Sequence, residues 1–343
     1  MKNKVSLKRL LLLLAALILA ACAIIPTSYY VEAPGATIDL KELITVNGKE
    51  DEASGSFSLT SVGIRQATVF RMIKAKLTDF EDLVSEKELL GGATDDEYNR
   101  IQAFYMESSQ NTAIEQALKL ADKDYTMSYK GVYVLGVEKN SDFYGKIGIG
   151  DTVTAADGQS FKSSEEFMKY VQNQKIGQKM QVTYLQDGKE KTAEGKLMKL
   201  PTTGKPGIGI TLTDHTEVSS QEKINFDLDN IGGPSAGLMF TLEIYEQLTD
   251  KNLRQGKEIA GTGTISTTGE VGRIGGIDKK VASASKSGAE IFFAPDDDVS
   301  DEPKLKSNYE EAKAAAKKLK TKMKIVPVKN VQDALDYLES LAD

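Results

Sequence analysis

Hydrophobic and polar residues alternate along the chain from Pro34 to Phe70, and the pattern then changes. In the stretch "GSFSLTSVGI" the apolar set is Phe57, Leu59 and Val62, which predicts a half-buried strand. From Thr94 to Leu120 the apolar positions recur at helical spacing, after a threonine and several acidic residues that suit a helix N-terminus. A strand region followed by one long helix is therefore predicted for this part of the chain.

After Pro201 short apolar strands alternate with helical segments. Predicted strands are "GIGITLTD", "KINFD", "EIAGTGTIS", "IFFAP" and "KIVPV". Helices are predicted from Ser235 to Leu248, through "GGIDKKVASASKSGAE", and in two segments nearer the C-terminus. This alternation is typical of an α/β domain.

Residues 123–200 have a different pattern, with short strands, glycine-rich turns and a helix at "SSEEFMKYVQNQ". Their order, and the stretch "IGIGDTVTAADGQSFKSSEEF" in particular, resemble a PDZ domain. PDZ domains bind extended peptides by adding a strand to a sheet edge. The resemblance implies peptide binding at "YKGVYV", on Gly131, Val132, Tyr133 and Val134. A small β-rich spacer without a ligand is the alternative interpretation.

The N-terminus carries an uncharged apolar run from Leu10 to Ile25, preceded by the basic residues Lys2, Lys4, Lys8 and Arg9. The run is slightly shorter than the roughly 17–25 residues of a spanning helix. Basic residues before it favour a cytoplasmic N-terminus, so the rest of the chain is expected outside the cell membrane as a single-pass protein.

Two other interpretations of the apolar run remain open. The tetrapeptide "LAAC", which ends at Cys22, resembles the lipobox of bacterial lipoproteins, and cleavage there would leave a lipid anchor. A buried core helix is the other interpretation.

Composition narrows the possible chemistry. The chain has 343 residues, is 40% apolar and 27% charged, and has a net charge of -7, so it has the composition of a globular protein and is not expected to bind nucleic acid. One Cys and one His exclude a structural zinc site and an intrachain disulfide. No metal or cofactor is expected, and ATP is not expected because no G-x-x-x-x-G-K-[ST] motif occurs.

The strongest candidate for chemistry is Ser235, in "NIGGPSAGLMF". The stretch fits G-x-S-x-G, in which the activating histidine follows the serine in the chain. The single histidine, His215, precedes Ser235, so this pattern lacks its base. Cys22 lies within the N-terminal apolar run and is not expected to act as a nucleophile.

A lysine can replace histidine as the base if burial lowers its pKa. In "GGIDKKVASASKSGAE" an apolar arc of about 60° contains Ile277, Val281, Ala284 and Gly288, and Lys280 lies at its edge. Lys279 and Lys286 are expected on the opposite side. Lys280 is thus the lysine expected to be desolvated, although a lysine that extends to solvent from the helix flank is the alternative.

"GGPSAG" and "GTGTISTTGEVGRIGGIDKKVASASKSGAEIFFAP" together resemble the proteolytic domain of the Lon family of serine peptidases. The resemblance implies a Ser235–Lys280 catalytic dyad and places Thr262 where a threonine would hydrogen-bond the lysine. It also implies oxyanion or supporting roles near Gly232, Gly233 and Ala236. The family usually has Asp where this chain has Gly232, and Asp227 and Asp229 are the acidic residues nearby.

The expected fold class is a multi-domain α+β/α/β protein: a Lon-type proteolytic domain with an inserted PDZ-like β-rich domain and an N-terminal membrane anchor. The expected boundaries are 1–26 for the anchor, 27–122 for the first part of the protease domain, 123–200 for the PDZ domain and 201–343 for the catalytic part. This arrangement resembles the membrane-anchored Lon-like PDZ proteases of Gram-positive bacteria.

The resemblance implies an ATP-independent serine endopeptidase that cleaves extracytoplasmic peptides or unstructured protein tails. The PDZ domain would help to bind substrate, and maturation of a secreted signalling peptide would suit the location. Lon-like domains often form rings, so a homo-oligomer is also expected. The alternative is a non-catalytic PDZ adaptor held at the membrane surface.

Overall fold

The computed structural model describes residues 7–49, 51–228, 231–302 and 304–342. Nine α-helices are defined in this part of the chain: α1 Leu7–Ile24, α2 Val69–Leu77, α3 Glu86–Leu90, α4 Asp95–Leu120, α5 Ser164–Gln172, α6 Gly237–Thr249, α7 Ile277–Ser287, α8 Asn308–Leu319 and α9 Val331–Glu339. The basic residues Lys2 and Lys4 lie outside the described residues.

The strands before residue 221 are β1 Pro26–Asp39, β2 Ile44–Val46, β3 Ser56–Thr68, β4 Asp82–Ser85, β5 Tyr125–Val137, β6 Thr152–Ala156, β7 Gln159–Ser160, β8 Lys179–Gln186, β9 Lys189–Lys196, β10 Met198–Lys199, β11 Pro206–Gly207 and β12 Ile210–Ser220. They are followed by β13 Ile224–Phe226, β14 Glu258–Gly261, β15 Thr264–Ile265, β16 Val271–Gly272, β17 Ile291–Pro295 and β18 Lys324–Val328.

The larger domain is built on a six-stranded mixed sheet of order β18-β17-β14-β3-β1-β4. β14 runs parallel to β3, and β1 and β4 are antiparallel to their neighbours. One apolar core includes side chains of α6 and α9, and a second joins α7 and α8 to the sheet. Strands from both ends of the chain share one sheet, so the intervening module is an insertion in this domain.

The long helix is confirmed, and its start is fixed as the acidic residues suggested. Thr94 caps α4 in a capping box, in which its hydroxyl accepts from Glu97 N and the Glu97 carboxylate accepts from Thr94 N. These two hydrogen bonds satisfy two backbone N–H groups that have no partner within the helix.

The inserted module has its own sheet, of order β12-β5-β6-β8-β9, and its own apolar core. Strand β12, which the sequence pattern assigned to the catalytic part after residue 200, pairs with β5 from Ile210↔Val137 to Ser220↔Tyr125. The expected boundary between residues 200 and 201 is therefore corrected, because the sheet of the module continues through β12.

No residue of helix α1 is buried. Among the described residues it is the one helix long and apolar enough to cross a membrane. Its position near the N-terminus is compatible with either a membrane anchor or a signal sequence. The absence of buried residues in α1 contradicts the core-helix interpretation.

A buried ion cluster joins α6 to the loop that follows it and to the loop before β3. The guanidinium of Arg254 is fully buried against Phe57 and contacts Asp51, Glu243 and Glu246. Burial raises the pKa of Glu243 to about 8, so this carboxyl is protonated at neutral pH. Asp51 and Glu246 are the other two carboxyl groups that face the single guanidinium.

We expect Arg254→Ala to lower the free energy of unfolding by about 3–5 kcal/mol, because it leaves buried carboxylates without their cation. Lys257→Ala is the matched control: it breaks an exposed pair with Glu290 and is expected to cost about 0–1 kcal/mol. Urea unfolding of both full-length variants in detergent measures the difference. Equal losses would contradict this account of the cluster.

Candidate active site

Ser235 lies two residues before the start of α6, where the loop from Ile231 enters the helix. Its carbonyl oxygen accepts two hydrogen bonds, from Thr262 Oγ1 at 2.9 Å and from Gly263 N at 2.8 Å. These bonds tie the serine to the segment after β14. The backbone on the C-terminal side of the serine is therefore fixed.

Helix α4 holds the other side of the same loop. Gly233 N donates to Gln102 O at 2.9 Å, and Ser109 Oγ donates to Pro234 O at 3.1 Å. A side chain at Gly232 would place its Cβ 2.9 Å from the Cβ of Gln102. This close approach explains the glycine at the position where Asp was expected.

Gln102 and Ser109 were not found from the sequence. They are seven residues apart on α4 and so share a face of the helix. Their spacing of seven residues within the predicted helix was the available signal. Of the two acidic residues considered near Gly232, Asp227 is exposed and Asp229 lies outside the described residues.

Lys280 enters the site from α7, across the sheet from α6. Its side chain is 3% exposed. Its Nζ lies 2.9 Å from Ser235 Oγ and 2.5 Å from the carbonyl oxygen of Thr60 in β3. The structure thus brings together the two residues that the sequence pattern paired across the chain.

The surroundings of Lys280 lower its pKa to about 7, and the cause is burial alone. An ammonium in this position loses its hydration, and a carbonyl and a hydroxyl replace it. In the neutral amine one N–H can donate to Thr60 O while the lone pair accepts the Ser235 hydroxyl proton. This arrangement suits a general base that is active near neutral pH.

Lys279, the adjacent lysine, has the opposite environment. It is also buried, whereas the helical wheel placed it on the outer side of α7, so that expectation is wrong. Strand β4 covers this side of the helix, and the amine pairs with Asp82 and Asp278, which raise its pKa against the effect of burial. Lys286 is exposed, as expected.

The expected hydrogen bond between Thr262 and the lysine is corrected. Thr262 Oγ1 donates to the carbonyl of Ser235, whereas the Lys280 amine contacts Thr60 O and Ser235 Oγ. Thr262 therefore orients the serine backbone. Thr60 contacts the lysine through its main-chain carbonyl oxygen. Every residue type has this atom, so the sequence does not indicate that role.

In the described part of the chain, some of the backbone N–H groups near the serine are free to bind an oxyanion, and others already donate a hydrogen bond. The N–H of Gly233 is already donated to Gln102 O, so it is not free for an oxyanion. A trans peptide unit directs its N–H away from its C=O. Because Pro234 O and Ser235 O are held by Ser109, Thr262 and Gly263, the N–H groups of Ser235 and Ala236 point away from those partners.

An open groove of about 1260 Å³ contains the serine and the lysine. Its walls are the Ser235 loop, the β1–β3 backbone around Gly35 and Ser61, and residues of α2 that include Phe70 and Arg71. An open groove of this kind is better suited to an extended polypeptide than to a small molecule, which would need an enclosed pocket. Among the described residues no group of three or more metal-ligating side chains occurs.

His215 takes no part in this groove. Its Nδ1 lies 2.9 Å from Thr152 Oγ1, and its ring packs edge-on against Phe104 and Tyr133. It also lies near Glu107 of α4. The histidine thus joins α4 to the sheet of the inserted module.

The expected peptide-binding stretch of that module, Gly131 to Val134, has both edges occupied. On one side it pairs with Leu212 to His215 of β12, and on the other it bonds to β6 and to the turn before it. Strand addition needs a free edge. The structure therefore corrects the assignment of Gly131, Val132, Tyr133 and Val134 as peptide-binding residues.

The two edge strands of this sheet are β12 and β9, and β12 is the one that contacts helix α5. Before this strand, Ser141 Oγ donates to Ile208 O and Glu138 N donates to Gly209 O. The N–H groups of Gly209 and Ile210, on the opposite side of those peptide units, therefore point away from β5. Gly209 has φ +75°, a conformation that favours glycine.

The site pairs a serine with a buried amine on a mixed sheet, which is the arrangement of a Ser–Lys hydrolase. Comparison with family models agrees. Residues 230–340 match the Lon protease (S16) C-terminal proteolytic domain, and residues 112–197 match the PDZ domain model. The chain therefore carries a Lon-type serine peptidase domain together with a PDZ domain.

Curated relatives match a limited part of this chain. The Lon protease of Fusobacterium nucleatum is 45% identical over 65 residues, which cover 19% of this chain and 8% of that protein. The Lon protease of Trichlorobacter lovleyi is 31% identical over 103 residues, covering 30% of this chain and 11% of that protein. The chain thus spans a small fraction of the length of these relatives.

A solved structure resembles the inserted module. The PDZ domain of the SdrC-like protein from Listeria monocytogenes is 39% identical, and the match covers 25% of this chain and 90% of that domain, with a TM-score of 0.24. The family match to the PDZ model ends at residue 197, before β12.

Proposed function

We propose that the chain is an ATP-independent serine endopeptidase in which Ser235 is the nucleophile and Lys280 is the general base. The observation that carries the proposal is the 2.9 Å contact between Ser235 Oγ and an amine whose pKa burial lowers to about 7. Such an amine is substantially neutral at physiological pH. It can therefore accept the serine proton without a histidine.

The reaction begins when the lone pair of Lys280 Nζ accepts the proton of Ser235 as Oγ attacks a peptide carbonyl carbon. The new C–O bond places negative charge on the carbonyl oxygen, for which the N–H groups of Ser235 and Ala236 are the proposed donors. Collapse of this intermediate breaks the C–N bond, and the Lys280 ammonium gives its proton to the leaving amine. An acyl-enzyme ester on Ser235 remains.

Hydrolysis of the ester repeats these steps with water. Neutral Lys280 takes a proton from water as the oxygen attacks the ester carbonyl, and the lysine returns that proton to Ser235 when the ester breaks. The carbonyl of Thr60 keeps the amine in place through both halves of the cycle. Thr60 and Thr262 are thus positioning residues, not reacting groups.

The proposed location is the cell membrane. Helix α1 would cross it as a single-pass anchor, and the folded part would lie on the outer side. The basic residues at the N-terminus support this orientation. A lipid anchor at Cys22 is the alternative form of attachment. Because the chain has no P-loop to power unfolding, peptides and unstructured tails of exported proteins, such as a secreted signalling peptide, are the proposed substrates.

The PDZ domain is proposed to bind substrate along β12. An extended peptide can pair with the free edge of this strand beside α5, and its terminal carboxylate can bind the N–H groups of Gly209 and Ile210. The side chains of Ile210 and Leu212 lie partly buried next to the module's core and offer an apolar floor. Assembly into a homo-oligomer remains part of the proposal.

We expect Ser235→Ala and Lys280→Ala each to lower kcat/KM for an unstructured peptide by about 10⁴-fold or more, because each removes a reacting group. Lys279→Ala is the matched control, since it removes the adjacent lysine, whose amine is directed to Asp82 and Asp278. It should retain cleavage if the protein is folded.

The same variants distinguish the enzyme from a non-catalytic adaptor. A serine-directed covalent probe should label the wild-type protein and the Lys279→Ala variant, and labelling should disappear in Ser235→Ala. A wild-type protein that neither cleaves peptides nor reacts with the probe would contradict the proposed function.

A second prediction concerns the peptide edge of the PDZ domain. A peptide with a free C-terminal carboxylate should bind the Ser235→Ala protein at least about tenfold more tightly than the same peptide with a C-terminal amide. The amide has no negative charge, so it cannot make charge-assisted hydrogen bonds with the backbone N–H groups. Fluorescence anisotropy measures the affinities.

Amide chemical shifts give the location of that binding. Signals from Gly209 to Leu212 should move on peptide addition, and those from Gly131 to Val134 should move less. Equal affinity for acid and amide, or shifts confined to Gly131–Val134, would refute the assignment to β12.

A further inference from the structure

Helix α2 exposes its apolar face. Large apolar side chains at Val69, Phe70, Ile73 and Leu77 fall within an arc of about 100° and are 40%, 65%, 56% and 83% exposed. The opposite face, with Met72 and Ala75, packs on β1 and β3. The surfaces of soluble proteins rarely carry so many large apolar side chains together on a short helix. This face is therefore suited to contact with an apolar partner.

The position of α2 indicates which partner that is. Pro26, the first residue of β1 after α1, pairs with Thr68, the N-cap of α2. Thr27 Oγ1 also donates to Ala67 O, and α1 contacts α2. The N-terminus of α2 therefore lies beside the C-terminal end of the apolar helix α1.

The dimensions and charges of this region fit a bilayer. At 1.5 Å per residue α1 is about 27 Å long, close to the roughly 30 Å of the hydrocarbon core. Lys74 and Lys76 border the apolar arc of α2 on its two sides, and Lys74 also pairs with Glu81. Basic residues that flank an apolar stripe are typical of helices that lie at the headgroup level of a membrane.

The geometry points to a membrane-surface role for α2: its apolar face inserts into the bilayer that α1 crosses, and the mouth of the Ser235 groove is held against that surface. Phe70, Arg71 and Lys74 line this groove together with Ser235. The enzyme would then receive polypeptide segments that lie on, or emerge from, the membrane. This inference rests on the proposed anchoring by α1.

The chain contains no tryptophan, so single tryptophans can report the depth of each position. Full-length protein carrying Phe70→Trp, Leu77→Trp, Leu17→Trp or Tyr144→Trp is reconstituted into vesicles of phosphatidylcholine and phosphatidylglycerol with brominated acyl chains. Leu17 lies in the middle of α1 and is the membrane control. Tyr144 is an exposed side chain of the PDZ domain and is the solvent control.

We expect bromine to quench the tryptophans at positions 70, 77 and 17, and to leave the one at position 144 unquenched. Bromines near the carboxyl end of the acyl chain should act most on positions 70 and 77, and bromines near its far end on position 17. Quenching at 17 without quenching at 70 and 77 would overturn the inference while the anchor stands. No quenching at 17 would instead overturn the proposed anchoring.

A functional measurement complements the depth measurement. The paired substitution Ile73→Ser and Leu77→Ser should slow cleavage of a vesicle-bound peptide and leave cleavage of a short soluble peptide unchanged, since neither side chain lines the groove. Ile176→Ser, an exposed apolar position in the PDZ domain, is the matched control and should affect neither. Equal rates on the vesicle-bound peptide for all proteins would contradict the role of α2.

Discussion

The removal of the Lys280 amine from water is the interaction on which the rest of the site depends. An exposed lysine carries a proton at neutral pH and cannot act as a base, whereas burial of this side chain lowers its pKa to about 7. The two lysines in sequence show how specific this effect is. Lys279 is also largely covered, but it remains charged because two aspartates pair with it. One turn of helix thus supplies both an ion pair that fixes α7 and a neutral amine beside the serine.

Helix α4 connects the serine to the inserted domain. Gln102 and Ser109 hold the loop that carries Ser235. On the same helix, the ring of Phe104 stacks on Tyr133 of the PDZ sheet at a centroid distance of 3.6 Å, and Glu107 meets His215. The catalytic loop and the PDZ domain therefore pack on one rigid element.

The sequence was sufficient for the features that a local pattern encodes. Ser235 stood out by its glycine-proline turn, and the helical spacing around Lys280 indicated a buried position. Two kinds of feature were beyond it. The Thr60 carbonyl is a main-chain atom and leaves no mark in the residue type, and the burial of Lys279 depends on β4, a strand distant in the chain. The PDZ edge was misassigned for a related reason, because only the sheet order shows that β12 covers β5.

The pH dependence of kcat/KM for a short unstructured peptide tests the central claim most directly. If neutral Lys280 is the base, the rate should rise with pH and reach half of its plateau near pH 7, since kcat/KM reports the ionisation of the free enzyme. Lys279→Ala should keep the same midpoint. A midpoint near 10, the usual value for an exposed lysine, or a rate that does not change with pH, would contradict the account.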